Sequence, residues 1–108
     1  MNFKVSVEFE NELKRLGKKY QSLKSDMKTF LSELKVNPLM GVEIFPNCRK
    51  ARIAIKSKGK GKSGGGRIFF YYKVSNYYIT LLYIYDKSEK ENIDVSVIKD
   101  ILEKNLNE

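Results

Sequence analysis

Apolar and polar positions change period three times along this chain, and each change marks a new element. In "FKVSVEF", Phe3, Val5 and Val7 alternate with polar residues, the two-residue period of a half-buried strand. The period then lengthens. Leu13 and Leu16 fit a short helix ending near Gly17. Tyr20, Leu23, Met27, Phe30, Leu31 and Leu34 fit a longer amphipathic helix, with Lys24, Lys28 and Glu33 on its polar side. Pro38 stops it, because the residue before a proline is disfavoured in helix. The two helices predict an antiparallel hairpin laid on a sheet.

"CRKARIAI" returns to the strand period, with Ala51, Ile53 and Ile55 on one side and Arg52 and Ala54 on the other. Two strong strands follow, "RIFFYYKV" and "YYITLLYIY", joined at Ser75-Asn76. A last helix is predicted in "DVSVIKDILEKNL". Asp94 is its N-cap, and Val97, Ile98, Ile101, Leu102 and Leu106 are its apolar stripe. The fold class expected is α+β, in the order β-α-α-β-β-β-α. It has an antiparallel sheet with an N-terminal helical hairpin and a C-terminal helix, the helices covering one face. No repeat or linker interrupts the 108 residues, so a single domain over 1–108 is expected.

Charge adds the first functional clue. The net charge is +8, and eight cations lie between Arg49 and Arg67 with no acid among them. The other thirteen cations balance all thirteen acids, and no Asp or Glu occurs between Glu43 and Asp86. A neutral body with one basic segment points to a polyanionic partner. No window reaches the roughly 18 apolar residues of a membrane span. The alternating N-terminus is unlike a signal peptide, so a cytoplasmic protein with no membrane partner is expected.

Several chemistries drop out. With no histidine there is no Ser-His or Cys-His nucleophile pair and no histidine zinc site. The one cysteine, Cys48, cannot form an internal disulfide and reads as a small core residue. No acidic metal-ligand run and no cofactor motif stands out, so neither metal nor cofactor is expected. The segment "KSKGKGKSGGGR", Lys56 to Arg67, needs more care. Gly59, Gly61 and Gly64 satisfy G-x-G-x-x-G, and Gly61 to Ser63 match the end of a Walker loop. Both motifs must open a helix whose N-terminus holds phosphate, whereas here "RIFFYY" follows, a strand. A flexible linker is the plain alternative, but this segment joins two strands of one domain. Lys56, Lys58, Lys60 and Lys62 alternate, so an extended arm would present all four on one face to a phosphate backbone.

Taken together, the β-α-α-β-β-β order, "KARIAIKSKGKGKSGGGRIFFYY" and "LLYIYDKSEKENI" resemble the RelE/ParE superfamily of bacterial toxins, in particular its RelE/HigB-like branch. The resemblance spans nearly the whole chain. It implies the toxin of a type II toxin–antitoxin system, a ribosome-dependent mRNA endoribonuclease that inhibits translation. Its reaction is attack of a ribose 2′-OH on the adjacent phosphate. Clustered Arg and Lys supply the electrostatic stabilisation of such a step, and a Lys, a Tyr or a shifted acid moves the protons.

Residue by residue, the resemblance assigns the family's paired strand cations to Lys50 and Arg52. It assigns the arginine at the scissile phosphate to Arg67, and the cluster after the last strand to Tyr85 and Lys87, with Glu89 and Glu91 nearby. Arg49, Lys56, Lys58, Lys60 and Lys62 would bind RNA, the last three along the substrate channel. Lys87 stands where the family has a second arginine. Tyr85 and Tyr72 are both open to the base-stacking role, and the general base is unassigned. The implied partners are mRNA, the 70S ribosome and a cognate antitoxin, often of helix-turn-helix type. Two other readings remain: a ParE-like gyrase poison, and a non-catalytic module that binds nucleic acid by charge and stacking.

Overall fold

A computed structural model describes residues 2–75 and 78–106. Strand β1 covers Asn2–Val5 and helix α1 covers Val7–Lys19. The predicted strand therefore ends early, and Val7 and Phe9 are helical. The cause is Ser6. Its Oγ accepts the Phe9 N–H at 2.9 Å, capping α1, while its hydroxyl donates to the Leu82 carbonyl at 2.6 Å. Glu8 and Glu10 in the first turn and Lys18 and Lys19 in the last suit the helix dipole. The helix runs through Gly17 and closes at Tyr20, which caps α1 instead of joining the next helix. Helix α2, Leu23–Val36, buries Leu23, Met27, Phe30 and Leu34, and ends at Asn37, just before Pro38.

Four further strands follow: β2 Val42–Phe45, β3 Cys48–Ile53, β4 Gly66–Tyr72 and β5 Tyr78–Asp86. The sheet order is β1-β5-β4-β3-β2. Strands β2 to β5 form the expected antiparallel run, and β1 joins its edge parallel to β5. Strand β2 is an addition. Its four residues are too few to display a period, and the chain turns back through Asn47 at φ 67°, a left-handed value that asparagine tolerates. In the connection at Ser75-Asn76, Asn76 lies outside the described residues.

Helix α4, Val95–Leu106, starts beside Asp94, whose Oδ1 accepts the Ser96 N–H at 2.9 Å. It corrects the one-face expectation. The α1–α2 hairpin packs Phe9, Leu16, Met27, Phe30 and Leu34 onto Ala51, Ile53, Ile68, Phe70 and Ile84. On the opposite face, Ile98, Ile101 and Leu102 of α4 cover Cys48, Phe69, Leu82 and Tyr85. Strands alternate their side chains, so the residues between the hairpin-facing positions needed a second cover.

The glycine-rich segment is coiled and docked, not an extended arm. Lys56–Lys58 form a 3-10 turn and Gly61–Gly64 a single helical turn, α3. The Lys56 N–H donates to Asp26 Oδ2 at 3.1 Å, and the Ser57 N–H to Ser22 Oγ at 2.9 Å. The Lys58 ammonium turns inward and donates to Asp86 Oδ1 at 2.6 Å, Ser88 Oγ at 2.8 Å and the Gly65 carbonyl at 3.2 Å. A Cβ on Gly65 would overlap the Ile53 carbonyl oxygen, so only glycine allows the segment this close to β3. The four alternating lysines consequently do not share a face.

Burial alone would raise the Asp86 carboxyl. Hydrogen bonds from Lys58, Tyr20 and the Ser88 backbone outweigh it and hold the group below the ordinary carboxylate range. With its folded-state value below 3.8, Asp86 contributes stability that is complete above that pH and lost as pH falls through the folded value. Asp86→Asn leaves the Lys58 ammonium buried without its counter-ion, and an expected loss of about 3–5 kcal/mol follows. Urea unfolding at neutral pH measures that loss. The gap between wild type and variant should narrow below pH 3.8, and a gap that is constant down to strong acid would contradict the assignment.

Candidate nucleic-acid interface and active site

Register builds the site. Arg52 lies opposite Arg67, and Arg67 opposite Tyr85, so the three form one row across β3, β4 and β5. Lys50, two residues from Arg52, shares its face and lies opposite Phe69 in the neighbouring row. Lys87, the first residue beyond β5, donates its backbone N–H to the Gly65 carbonyl at 3.1 Å. Lys50, Arg52, Arg67 and Lys87 line one open groove of about 1030 Å³. Strand β2 pairs with β3 only from Cys48 to Lys50, and the groove opens beside the stretch of β3 left uncovered. Its far wall is Ser32, Glu33, Val36 and Asn37 of the α2 end, with Met40 and Val42.

Arg67 is 8% exposed, and its guanidinium is aimed by carbonyls. Nη1 donates to Gly66 at 2.9 Å and Lys62 at 3.3 Å, and Nη2 to Ser63 at 3.1 Å. Lys50 donates to Asn92 Oδ1 at 3.3 Å and lies 5.8 Å from the Phe69 ring centroid. Burial, then the charges of Arg67 and Lys87, push the Lys50 ammonium below the usual lysine range. Among the described residues, none of Lys50, Arg52, Arg67 and Lys87 has a carboxylate ion-pair partner. Like charges opposite one another in a sheet are unfavourable, so the row Arg52–Arg67 weakens the fold locally.

Other expected site residues fall elsewhere. Tyr85 is in the row but only 2% exposed. It packs beneath α4 with its ring 6.1 Å from that of Phe69, and its hydroxyl points to the Glu91 carbonyl at 3.4 Å. Burial raises its phenol, against the lowering effect of Arg67. A buried ring leaves no open face for a base. Tyr72 lies at the other end of β4 from Arg67 and packs against the hairpin core. Arg49 clamps the chain before β2, donating to the Met40 carbonyl at 3.1 Å and the Gly41 carbonyl at 3.0 Å. Lys58 is committed to Asp86, whereas Lys56 and Lys60 are exposed outside the groove lining. Lys62 does line the groove, bonded to Glu33 at 2.8 Å. Glu89 is held by Arg15, at 2.7 Å, on the α1 side. The Cys48 thiol, fully buried, is pushed up to about 12 and so is inert.

Three contributors carry no sequence motif: Asp86, Asn92 and the α2 end. Asp86 had one visible signal, as the first acid after the long acid-free stretch. Asn92 and the α2 end had none, since a polar turn and a polar helix side look alike in any soluble protein.

No protein-family model matches the chain. A solved structure of a mutant E. coli toxin RelE in the free state superposes on it with a TM-score of 0.59, over 83% of this chain and 86% of that one. Identity between the two is 14%. The likeness is one of architecture: an N-terminal strand, a helical hairpin, a sheet and a closing helix. The chain has the RelE-like fold.

Proposed function

We propose that this chain is the toxin of a toxin–antitoxin pair, and that it blocks translation by cutting mRNA on the ribosome. The observation that carries the reading is the convergence of Lys50, Arg52, Arg67 and Lys87 on one groove, with no carboxylate partner among the described residues. An RNA phosphate in that groove would neutralise a cluster that the fold alone leaves unfavourable. The RelE-like fold supports the same reading, since the matching protein is itself described as a toxin.

In the reaction proposed, a ribose 2′-oxygen attacks the adjacent phosphorus and the bond to the 5′-oxygen breaks. The products are a 2′,3′-cyclic phosphate and a 5′-hydroxyl. Arg67, its guanidinium held by three carbonyls, and Arg52 beside it face the phosphoryl oxygens where negative charge grows. Lys50 is the general base. Its lowered affinity for a proton enlarges the neutral amine fraction, which takes the 2′-OH proton. Lys87, in the same groove, gives a proton to the leaving oxygen. An antitoxin that covers the groove would keep the toxin silent.

Expression in growing cells tests the reading. Wild type should arrest growth and leave cut transcripts. Arg67→Ala should lower cleavage about 10²–10³-fold. Arg52→Ala, at an exposed position, reports on the groove without disturbing the carbonyls that hold Arg67. Growth arrest with intact transcripts would instead favour a gyrase poison or a non-catalytic binder.

The pH profile tests the base. Single-turnover cleavage should rise with pH along a limb whose apparent pKa lies below 10.5, the ordinary lysine value. Lys50→Arg keeps the charge but stays protonated. It should lose about 10²–10⁴-fold and flatten the rising limb. An unchanged limb in that variant would remove Lys50 from the role.

A further inference from the structure

The groove has two unlike walls. One is the cationic wall. The other is built on the end of α2, where Glu33 of the last turn and Asn37, the residue that closes the helix, both line the groove. Val36, 88% exposed, and Val42, 66% exposed, give this second wall an apolar surface. The cation beside it, Lys62, is already bonded to Glu33. A polynucleotide strand in the groove has its phosphates drawn to the first wall and repelled from the second by Glu33. What reaches the second wall is a base.

The polar groups there are arranged to read one. Asn37 Oδ1 accepts the Leu39 N–H at 3.2 Å, which orients the amide. Its Nδ2 group is left with two donors and no acceptor among the described residues. Glu33 supplies the complementary acceptors. Its Oε2 holds Lys62, and its Oε1 has no partner among the described residues. The Lys62–Glu33 pair is half-exposed, so it exchanges at little cost, and an arriving phosphate can draw Lys62 away and free both carboxylate oxygens.

We propose that Glu33 and Asn37 form a nucleobase subsite that reads the base beside the scissile phosphate and prefers guanine. Guanine presents an imino and an amino donor next to its O6 acceptor. A carboxylate takes the two donors and the amide of Asn37 donates to O6, while the exposed valines pack on the ring. The proposal rests on the RNA-cleaving reading above and assigns that site its base specificity.

The test uses binding, so that specificity is read apart from catalysis. Short oligoribonucleotides carry a 2′-O-methyl group that blocks cleavage, and one base beside the blocked linkage is varied or removed. Wild type should bind the guanine oligonucleotide about tenfold tighter than the adenine one. Glu33→Gln and Asn37→Ala should each lose that preference while binding the abasic oligonucleotide at least as well as wild type. That control certifies the fold and the phosphate wall. Equal affinity of wild type for every base overturns the subsite and leaves the ribonuclease reading standing; it would give the apolar rim to a protein partner. A guanine preference that survives in both variants also overturns it. Failure of wild type to bind any of the oligonucleotides, the abasic one included, overturns the subsite, while transcript cleavage in growing cells still decides the RNA-cleaving reading.

Discussion

The buried pair of Lys58 and Asp86 is the constraint on which the site depends. Their side chains are 4% and 0% exposed, and the ammonium places all three of its protons, on Asp86, Ser88 and Gly65. A pair so deep does not necessarily add net stability over an apolar pair of the same size. What it supplies is position. One ammonium joins the glycine-rich segment, the end of β5 and the turn after it. The first sets the carbonyls that aim Arg67, and the last carries Lys87. Remove the pin and the groove loses its geometry before it loses any charge.

The rest of the fold tolerates the groove because apolar packing surrounds it on both faces. The hairpin seals one side of the sheet and α4 most of the other. The cationic row occupies the part of the second face that α4 leaves bare. The same alternation that buries Phe69 and Tyr85 turns Lys50, Arg52 and Arg67 toward that face, Arg52 exposed, Lys50 half-buried and Arg67 buried. Partial burial beside Phe69 and Asn92 also explains why Lys50 holds its proton less firmly than an ordinary lysine. The cost of desolvation and the repulsion of Arg67 and Lys87 act in the same direction.

Much of this was legible in the chain. The period-two pattern of "CRKARI" placed Lys50 and Arg52 on one face, and the glycine run before Arg67 marked the start of β4. What sequence could not show were long-range choices. The four lysines of "KSKGKGK" look equivalent in sequence, and the partner that singles out Lys58 arrives only at Asp86. An apolar stripe says that α4 buries one side, not which face of the sheet receives it. Ser6 looks like one more polar member of an alternating strand, until Leu82 and Phe9 claim its hydroxyl. Glu33 looks like a solvated helix residue until the groove is seen to run past it.

Strand β1 has a temporal consequence. Residues 2–5 pair with residues 78–81, so the first strand made must wait for the last before the sheet has its edge. The row Arg52–Arg67–Tyr85 likewise needs β5, and Asp86 and Lys87 follow it directly. Such distant pairings form late and slowly compared with local helices. A nascent chain from which β5 has not yet emerged therefore lacks both the pin and the complete groove. The groove thus forms only once β5 has been made and has paired on both of its sides.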